Sequence, residues 1–370
     1  MFATFLERWT YQHIAKPCFF RRDPEDVHDR MCAVGSTLGK FAATRAVTRR
    51  LFAFSHPALE QTVAGIRFAN PVGLTAGFDK NAELTGIIPS VGFGFEEIGS
   101  VTGEPCEGNP KPRLWRLPES KGLVVWYGLK NDGCEAIANR LFNKTFSIPI
   151  GTSVARTNSP ATIDDQKGIA DYAKAFRAFA EIGDYTTVNI SCPNTCGGEP
   201  FTEPGRLDAL MTTLDAIPTS KPIFLKLPCD ITTDALDELV GIADKHRVHG
   251  LILSNLTKRR DRPGIVADEI KDKDKGGISG RPVFDPSNEL ISHLYRTVGS
   301  RFVLIGSGGV FSAKDAYEKI RRGASLVQLA TGMIFEGPQL IGEINRGLVD
   351  LLRRDDYTNI SQAIGTNNPL

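Results

Sequence analysis

The sequence predicts an α/β fold, a (β/α)₈ TIM barrel with an N-terminal helical extension. From about residue 70 onward, eight short apolar runs end in glycine or in polar residues. Helix-like segments lie between several of these runs, and eight strands that alternate with helices are typical of a closed parallel barrel. A doubly wound open sheet is the competing architecture. No G-x-G-x-x-G follows the first run, so the barrel is favoured.

The predicted elements place the carboxyl ends of the strands at one rim. The predicted strands are Val72–Ala76, Gly94–Ser100, Phe146–Gly151, Tyr185–Ile190, Pro222–Leu227, Gly250–Ser254, Phe302–Gly306 and Ser325–Ala330. The predicted helices are Ile169–Ile182, Leu207–Ile217, Thr233–His246, Asn288–Val298 and Ala313–Arg322. Barrel enzymes carry their chemistry at the C-terminal rim, so polar residues that follow these strands are the candidates for function.

Residues 1–65 are predicted to form a helical extension, and residues 66–370 the barrel domain. A second helix is predicted to start after Asp23, with Pro24 at its first position. The extension could dock on the barrel or lie on a membrane surface through residues 1–20, and the pattern favours docking. One apolar stripe at helical spacing consists of Phe2, Phe5, Leu6 and Trp9.

The composition excludes several classes of function. A formal net charge of +1 gives no reason to expect nucleic-acid binding. No apolar run approaches the roughly 20 residues that span a bilayer. The seven cysteines show no zinc spacing, so no metal site is predicted, and their odd number suits reduced thiols.

The most informative stretch is V-N-I-S-C-P-N-T (188–195), directly after the fourth predicted strand. It places a thiol, Cys192, between the amides of Asn189 and Asn194. A thiol can accept or donate a proton, and amides can fix a polar, planar substrate without adding charge. The alternative is a loop cysteine beside turn-forming asparagines.

Lysines and glycines at other strand ends indicate ligand binding. Lys80 and Lys226 follow or end predicted strands, where a lysine can hold an anion or the electron-rich edge of a cofactor ring. The alternative is a salt bridge, for instance between Lys80 and Asp79. Gly-rich turns at 305–309 and 330–332 close the last two strands, where barrels commonly bind a phosphate group. With no Ser-His-Asp set, this rim predicts proton abstraction beside an electron-accepting cofactor.

Seven motifs in one register resemble the dihydroorotate dehydrogenase family. Six are N-P-V-G-L-T-A-G-F-D-K-N (70–81), F-E-E-I-G-S-V-T (95–102), N-P-K-P-R-L-W-R-L (109–117), V-N-I-S-C-P-N-T (188–195), G-G-I-S-G-R-P (276–282) and I-G-S-G-G-V (305–310). The seventh, R-R-D-P-E-D-V-H-D (21–29), resembles the membrane-associated, quinone-using class. The resemblance implies FMN at the barrel mouth and oxidation of dihydroorotate to orotate in pyrimidine biosynthesis. A base would remove a proton while a hydride passes to the flavin.

The resemblance also implies roles for individual residues. FMN contacts would be Ala76, Gly77, Lys80, Ser100, Ser153, Asn189, Lys226, Ser254, Gly280, Gly309, Ala330 and Thr331. Substrate contacts would be Lys80, Val125, Asn189, Asn194 and Asn255, and Cys192 occupies the position of the base. The implied partners are a small-molecule substrate and a membrane quinone. The implied location is the cytoplasm, the cytoplasmic side of a membrane, or the mitochondrial inner membrane.

Departures from the family pattern leave the substrate open. The quinone class normally has serine as base, and cysteine belongs to the soluble classes. Val125 stands where the family has an asparagine that hydrogen-bonds the pyrimidine, and Leu256 where it has threonine or serine. An unpaired buried polar group costs about 1–3 kcal/mol. The alternative is therefore a diverged paralogue that uses the same FMN chemistry on another small carbonyl or amide substrate; a non-catalytic scaffold is a third reading.

The residues on the electron-acceptor side also match the family pattern only in part. Arg116 matches the arginine near the family's quinone tunnel, whereas Ala330 replaces a tyrosine usually found there. Ser153 replaces an asparagine that normally contacts the flavin. The electron acceptor therefore stays open at this point.

Overall fold

The computed structural model describes residues 2–368, with side chains from residue 6 onward. In chain order the strands are β1 (Gln61–Val63), β2 (Ile66–Phe68), β3 (Val72–Leu74), β4 (Phe95–Val101), β5 (Leu114–Leu117), β6 (Gly122–Val125), β7 (Ile150–Val154), β8 (Tyr185–Asn189), β9 (Ile223–Lys226), β10 (Gly250–Leu253), β11 (Gly277–Gly280), β12 (Val303–Ser307) and β13 (Leu326–Leu329). The α-helices are α1 (Phe2–Thr10), α2 (Lys16–Phe20), α3 (Pro24–Lys40), α4 (Ala42–Phe52), α5 (Ile88–Val91), α6 (Cys134–Leu141), α7 (Asp165–Ala178), α8 (Pro204–Asp215), α9 (Thr233–Ala243), α10 (Ala267–Ile270), α11 (Phe284–Val298), α12 (Ala313–Arg321), α13 (Thr331–Glu336) and α14 (Leu340–Arg354).

Eight parallel strands close into a barrel in the order β3, β4, β7, β8, β9, β10, β12 and β13, and β13 pairs with β3. The barrel prediction and the helical extension are therefore confirmed. The third predicted strand was misplaced, because β7 starts at Ile150 and runs to Val154. Phe146 and Ile148 lie in the preceding loop and pack against the core outside the barrel. Because both residues are apolar for this packing, their stretch of sequence resembles a strand.

An aromatic layer fills the N-terminal half of the barrel. Phe95, Tyr185 and Phe224 are fully buried there, and the rings of Tyr185 and Phe224 lie 5.1 Å apart. The β1–β2 hairpin packs Phe68 against Phe95 and covers this end. Because side chains fill the interior at its N-terminal end, a ligand can enter the barrel only at the C-terminal rim.

A small antiparallel sheet, β5–β6–β11, stands beside the barrel mouth. At the end of β6, Val125 pairs with Leu114 on one side and with Gly277 on the other. Thr257, in the loop after β10, forms an isolated bridge with Ile278 of β11. This sheet therefore forms one wall of the mouth and carries Val125 to it.

Helices α1 to α4 form the extension, which is docked on the barrel as the pattern predicted. The side chain of Asp23 accepts hydrogen bonds from the backbone N–H groups of Glu25 (2.9 Å) and Asp26 (3.1 Å). Because this cap starts α3 at Pro24, the predicted helix start is confirmed. The predicted boundary between residues 65 and 66 falls in the turn of the β1–β2 hairpin.

Polar side chains of the first helical segment contact the barrel. Arg8 forms ion pairs with Glu336 (2.9 Å) and Glu343 (3.0 Å), and the Tyr11 hydroxyl donates to the carbonyl of Ile334 (2.7 Å). In the predicted apolar stripe, Leu6 and Trp9 are 54% and 44% exposed, while the side chains of Phe2 and Phe5 lie outside the described residues. Of the helices in the range 2–368, none is long and apolar enough to cross a bilayer.

Candidate active site

One cavity of about 470 Å³ extends from the barrel mouth into the helical extension. This volume lies in the range of small-molecule sites. At its polar end it is lined by twelve of the predicted site residues: Ala76, Gly77, Lys80, Ser100, Val125, Asn189, Cys192, Asn194, Lys226, Asn255, Ala330 and Thr331. At its apolar end it is lined by Phe19, Phe20, Val27, Met31, Val34, Leu38 and Phe52 of the extension. The structure thus brings residues from most of the barrel strands to one space.

A hydrogen-bonded network of amides and hydroxyls joins the strand ends at the polar end. The Asn189 amide donates to Ser100 Oγ (2.9 Å), and the hydroxyls of Ser100 and Ser153 lie 2.7 Å apart. The amide of Asn255 donates to Asn189 Oδ1 (3.3 Å) and to Ser191 Oγ (3.1 Å). These bonds link β4, β7, β8 and the loop after β10, so the amides are held in fixed orientations.

Cys192 lies on the loop after β8, half-buried against the cavity. The amide of Asn194 donates to the backbone carbonyl of Val125 (2.9 Å), and Asn109 donates to the carbonyl of Asn194 (3.0 Å). Desolvation raises the pKa of the Cys192 thiol to about 11, although a hydrogen bond from the backbone of Asn194 opposes the shift. The thiol is therefore protonated at neutral pH, and its thiolate would be a strong base.

Lys226 places a cation in the barrel interior below the mouth. Its ammonium donates to Thr75 Oγ1 (3.2 Å), and the residue is only 5% exposed. Desolvation lowers its pKa, while the charge of Glu97 opposes this. No carboxylate oxygen within the described part of the chain lies within salt-bridge distance, so the ammonium is free to pair with a ligand.

Lys80 makes no salt bridge with Asp79. The carboxylate of Asp79 accepts instead from the backbone N–H groups of Glu83 (2.9 Å) and Leu84 (2.7 Å). The ammonium of Lys80 lies 3.0 Å from His28 Nε2 and 4.1 Å from the centre of the Tyr127 ring. Burial lowers the pKa of Lys80 to about 8. The salt-bridge alternative was wrong, and a second ammonium borders the cavity.

The comparisons with known proteins agree on one family. A family model described as dihydroorotate dehydrogenase matches residues 58–352. The chain belongs to the dihydroorotate dehydrogenase family. It is therefore an oxidoreductase that acts on a CH–CH bond.

Relatives named dihydroorotate dehydrogenase (quinone) resemble this dehydrogenase over nearly its whole length. The relative from Gloeobacter violaceus is 38% identical over 356 residues, which is 95% of this chain and 98% of the relative. The relative from Rhizobium rhizogenes is 38% identical over 362 residues, 95% of each chain. The crystal structure of DHODH from Eimeria tenella in complex with ferulenol superposes with a TM-score of 0.84 at 26% identity, over 94% of this chain and 96% of that one.

The predicted cofactor residues of this dehydrogenase fall into two groups. Gly77 faces the cavity with φ +99°, and a Cβ there would point into open space, so the backbone itself forms the wall. Gly280, at φ +88°, lies behind the wall, where a Cβ would approach the carbonyl of Lys121 to 2.3 Å. Ser153, Ser254, Gly280 and Gly309 do not line the cavity. Ser153 would thus act through Ser100 rather than by direct contact.

Two apolar side chains interrupt the polar wall of the dehydrogenase site. Val125 and Leu256 both line the cavity, next to Asn194 and Asn255. Leu256 packs so closely on Gly277 that a Cβ on the glycine would lie 2.6 Å from the leucine Cβ. The departures noted in the sequence therefore face the ligand space.

Sequence reasoning missed three residues of this dehydrogenase site. His28 and Tyr127 both contact Lys80, and Ser279 lies 2.9 Å from Thr331 through their hydroxyl oxygens. His28 occurs in the R-R-D-P-E-D-V-H-D motif, which was the available signal. The 52-residue separation of His28 and Lys80 gives no local pattern from which their contact could be predicted.

Proposed function

We propose that this protein oxidises dihydroorotate to orotate with FMN as its cofactor and Cys192 as its base. The observation that carries the proposal is the cavity in which Cys192, three asparagines, Lys80 and Lys226 meet. The names of the relatives add dihydroorotate as the substrate. Bound FMN would supply the acceptor for a hydride from one substrate carbon, while the Cys192 thiolate takes a proton from the adjacent carbon.

The remaining side chains would bind and orient the substrate. The Lys80 ammonium would pair with the carboxylate of dihydroorotate, because no carboxylate in the described residues neutralises it within 4 Å. Asn189, Asn194 and Asn255 would hydrogen-bond the edges of the ring. Asn189 and Asn255 first have to exchange hydrogen bonds that they make to each other. Their fixed geometry would place the substrate carbon near Cys192.

The polar end of the cavity fits FMN. Lys226 would offer a cation to the electron-rich edge of the flavin, and Ser100 and Asn189 would offer uncharged hydrogen-bonding groups. The exposed backbone at Gly77 leaves room for a flat ring to approach closely. The glycine turn at 308–309, with φ values of +108° and +73°, lies outside this cavity beside Val283 and Phe284, so a phosphate group at that turn would extend beyond the cavity.

A steady-state assay tests the proposal. Purified protein with FMN should convert dihydroorotate to orotate and reduce a soluble quinone analogue in equal amounts. Absence of orotate formation at every quinone concentration would contradict the assignment of the substrate. Orotate formation with a non-quinone acceptor alone would contradict the assignment of the quinone.

The apolar wall favours a second candidate function, a diverged paralogue with the same chemistry. Val125 would leave one polar edge of a bound pyrimidine without a partner, which costs about 1–3 kcal/mol. Replacing Val125 by asparagine should therefore lower KM for dihydroorotate about fivefold to a hundredfold. The measurement is kcat and KM for Val125→Asn and for the matched Val124→Thr, whose side chain lies in a buried cluster outside the cavity. A higher KM for Val125→Asn would favour another substrate.

The apolar end of the cavity would admit a membrane quinone. Arg116 lines it, donates to the backbone carbonyl of Arg22 (2.8 Å) and stacks over the ring of Phe20 (4.8 Å). Ala330, at the polar end of the same cavity, leaves open the space that a tyrosine would fill. An apolar channel from the extension to the flavin end suits an isoprenoid quinone, which carries two electrons and dissolves in the bilayer.

The extension would rest on a membrane surface. Eight of the ten large hydrophobic side chains exposed in the described part of the protein lie on it: Leu6, Trp9, Ile14, Met31, Val34, Phe41, Val47 and Leu51. The exposed Arg49 and Arg50 lie on α4 beside Val47 and Leu51. Apolar side chains with flanking arginines are typical of helices that lie in the interface of an anionic bilayer.

Vesicle binding tests this surface. The double variant Val47→Ser/Leu51→Ser should bind anionic phospholipid vesicles at least tenfold more weakly than the wild type, because each lost side chain removes about 1.5 kcal/mol or more of burial. The measurement is co-sedimentation at increasing lipid concentration. The matched control is Phe142→Ser/Ile163→Ser, which removes the two exposed hydrophobics of the barrel. Equal loss in both double variants would contradict the assignment.

A further inference from the structure

Lys80 contacts the extension through a histidine of α3, although it belongs to the barrel. The ammonium of Lys80 and Nε2 of His28 lie 3.0 Å apart, and both residues line the cavity. Since an ammonium can only donate, Nε2 must be the acceptor and His28 must be neutral. Burial and the neighbouring Lys80 charge lower the pKa of His28 well below its usual value, which keeps the ring neutral.

The histidine ring is fixed on several sides. It packs edge-on against Phe78 with ring centroids 5.0 Å apart, and it has a hydrogen bond with the Phe78 backbone. Nε2 also lies 3.5 Å from Cys32 Sγ, one helical turn further along α3. A ring held in this way gives Lys80 an acceptor in a defined position.

The surroundings of Lys80 offer no stronger acceptor. The nearby charged and titratable groups are Glu25, Asp29, Cys32, Asp79, Glu83, Tyr127 and Lys130. Among the described residues, neither Glu25 nor Asp29 of α3 approaches within 4 Å of the Lys80 ammonium; both pair with Lys130 instead. The face of Tyr127 adds a cation–π contact but takes up no proton.

We propose that His28 is a positioning residue of the substrate site, which holds the Lys80 ammonium charged and in place at the cavity wall. The inference rests on the proposed function, because it assigns Lys80 to the carboxylate of the substrate. Through His28, the extension forms part of the substrate end of the cavity as well as of the acceptor end. A barrel without α3 would lack the acceptor for this ammonium.

The test is the affinity of orotate as a function of pH, read from the change in flavin absorbance on binding. Burial already lowers the pKa of Lys80 to about 8, and loss of a hydrogen bond to the charged form lowers a lysine pKa further. His28→Phe should therefore weaken orotate binding about tenfold at pH 8.5 and less than about threefold at pH 6.5. His28→Gln, whose amide oxygen can accept, should restore most of the affinity.

A double-variant comparison separates positioning from a merely structural role. In a Lys80→Met background, His28→Phe should weaken orotate binding no further, because its effect passes through Lys80. A loss of equal size at both pH values, or an undiminished loss in the Lys80→Met background, would overturn the inference. Failure of the wild type to bind orotate at any pH would overturn the proposed function together with the inference. Equal FMN content and melting temperature confirm that the variants are folded.

Discussion

Replacing Cys192 by alanine should slow flavin reduction by dihydroorotate at least about a hundredfold, within the range of 10²–10⁴ for the loss of a general base. The physical reason is that, among the described residues of this wall, no other group offers a free basic lone pair, since the acceptor nitrogen of His28 already takes a hydrogen bond from Lys80. The amides of Asn189, Asn194 and Asn255 have no basic lone pair at neutral pH, and Lys80 and Lys226 are cations. The measurement is the rate of flavin bleaching after anaerobic mixing with saturating substrate.

The control for this variant lies four residues away on the same loop. Cys196 is exposed and its side chain does not line the cavity, so Cys196→Ala should reduce its flavin at the wild-type rate. Because desolvation raises the pKa of Cys192 to about 11, the wild-type rate should rise with pH through the neutral range, about tenfold per pH unit. A Cys192→Ala protein that keeps this rise and the wild-type rate would contradict the assignment of the base.

Replacing Glu25 by glutamine should lower the free energy of unfolding by about 3–5 kcal/mol, because it leaves Arg113 buried without its counter-charge. Glu25 is 2% and Arg113 6% exposed, and the two form a bidentate pair with distances of 2.8 to 3.2 Å. Glu25 belongs to α3 and Arg113 precedes β5, so the pair fastens the extension to the barrel. The measurement is denaturant unfolding, with limited proteolysis of the extension as a second readout.

An exposed pair supplies the matched control for Glu25. Glu60 and Arg67 lie 2.6 Å apart with side chains 41% and 76% exposed, so Glu60→Gln should cost at most about 1 kcal/mol. Although desolvation raises the pKa of Glu25, the hydrogen bonds and charge of Arg113 outweigh it and leave the pKa below its usual value. Stability from Glu25 is therefore present above the usual carboxyl pKa and is lost as the pH falls through the lowered one. Equal losses in the two variants would contradict this account.

The sequence predicted the barrel because each buried strand ends in a recognisable polar or glycine signal. Val72, Tyr185 and Gly250 are the first residues of predicted strands and of the observed ones, although each observed strand ends one or two residues earlier than predicted. The third strand was misplaced, because the partly buried apolar residues of the preceding loop look like strand residues in the sequence. Periodicity reports burial, and it does not report whether the burial is inside or outside the barrel.

The candidate site was predictable where residues end a strand, as Lys226 does, or follow one closely, as Cys192 does. Contacts between segments that lie far apart in the sequence were not predictable. His28 reaches Lys80 because α3 packs across the mouth, and that docking depends on Glu25 and Arg113, 88 residues apart. The contacts of Arg8 and Tyr11 with the barrel were not predicted either, because the prediction for the first helix rested on its apolar stripe, to which neither residue belongs.

The most direct test is an anaerobic titration of the purified, FMN-loaded protein with dihydroorotate. The account predicts complete bleaching of the flavin, with one orotate formed for each FMN reduced. This stoichiometry follows from the proposed reaction, in which each turnover would pass one proton to Cys192 and one hydride to bound FMN. A protein that binds FMN but keeps its full absorbance at saturating dihydroorotate would contradict the central claim.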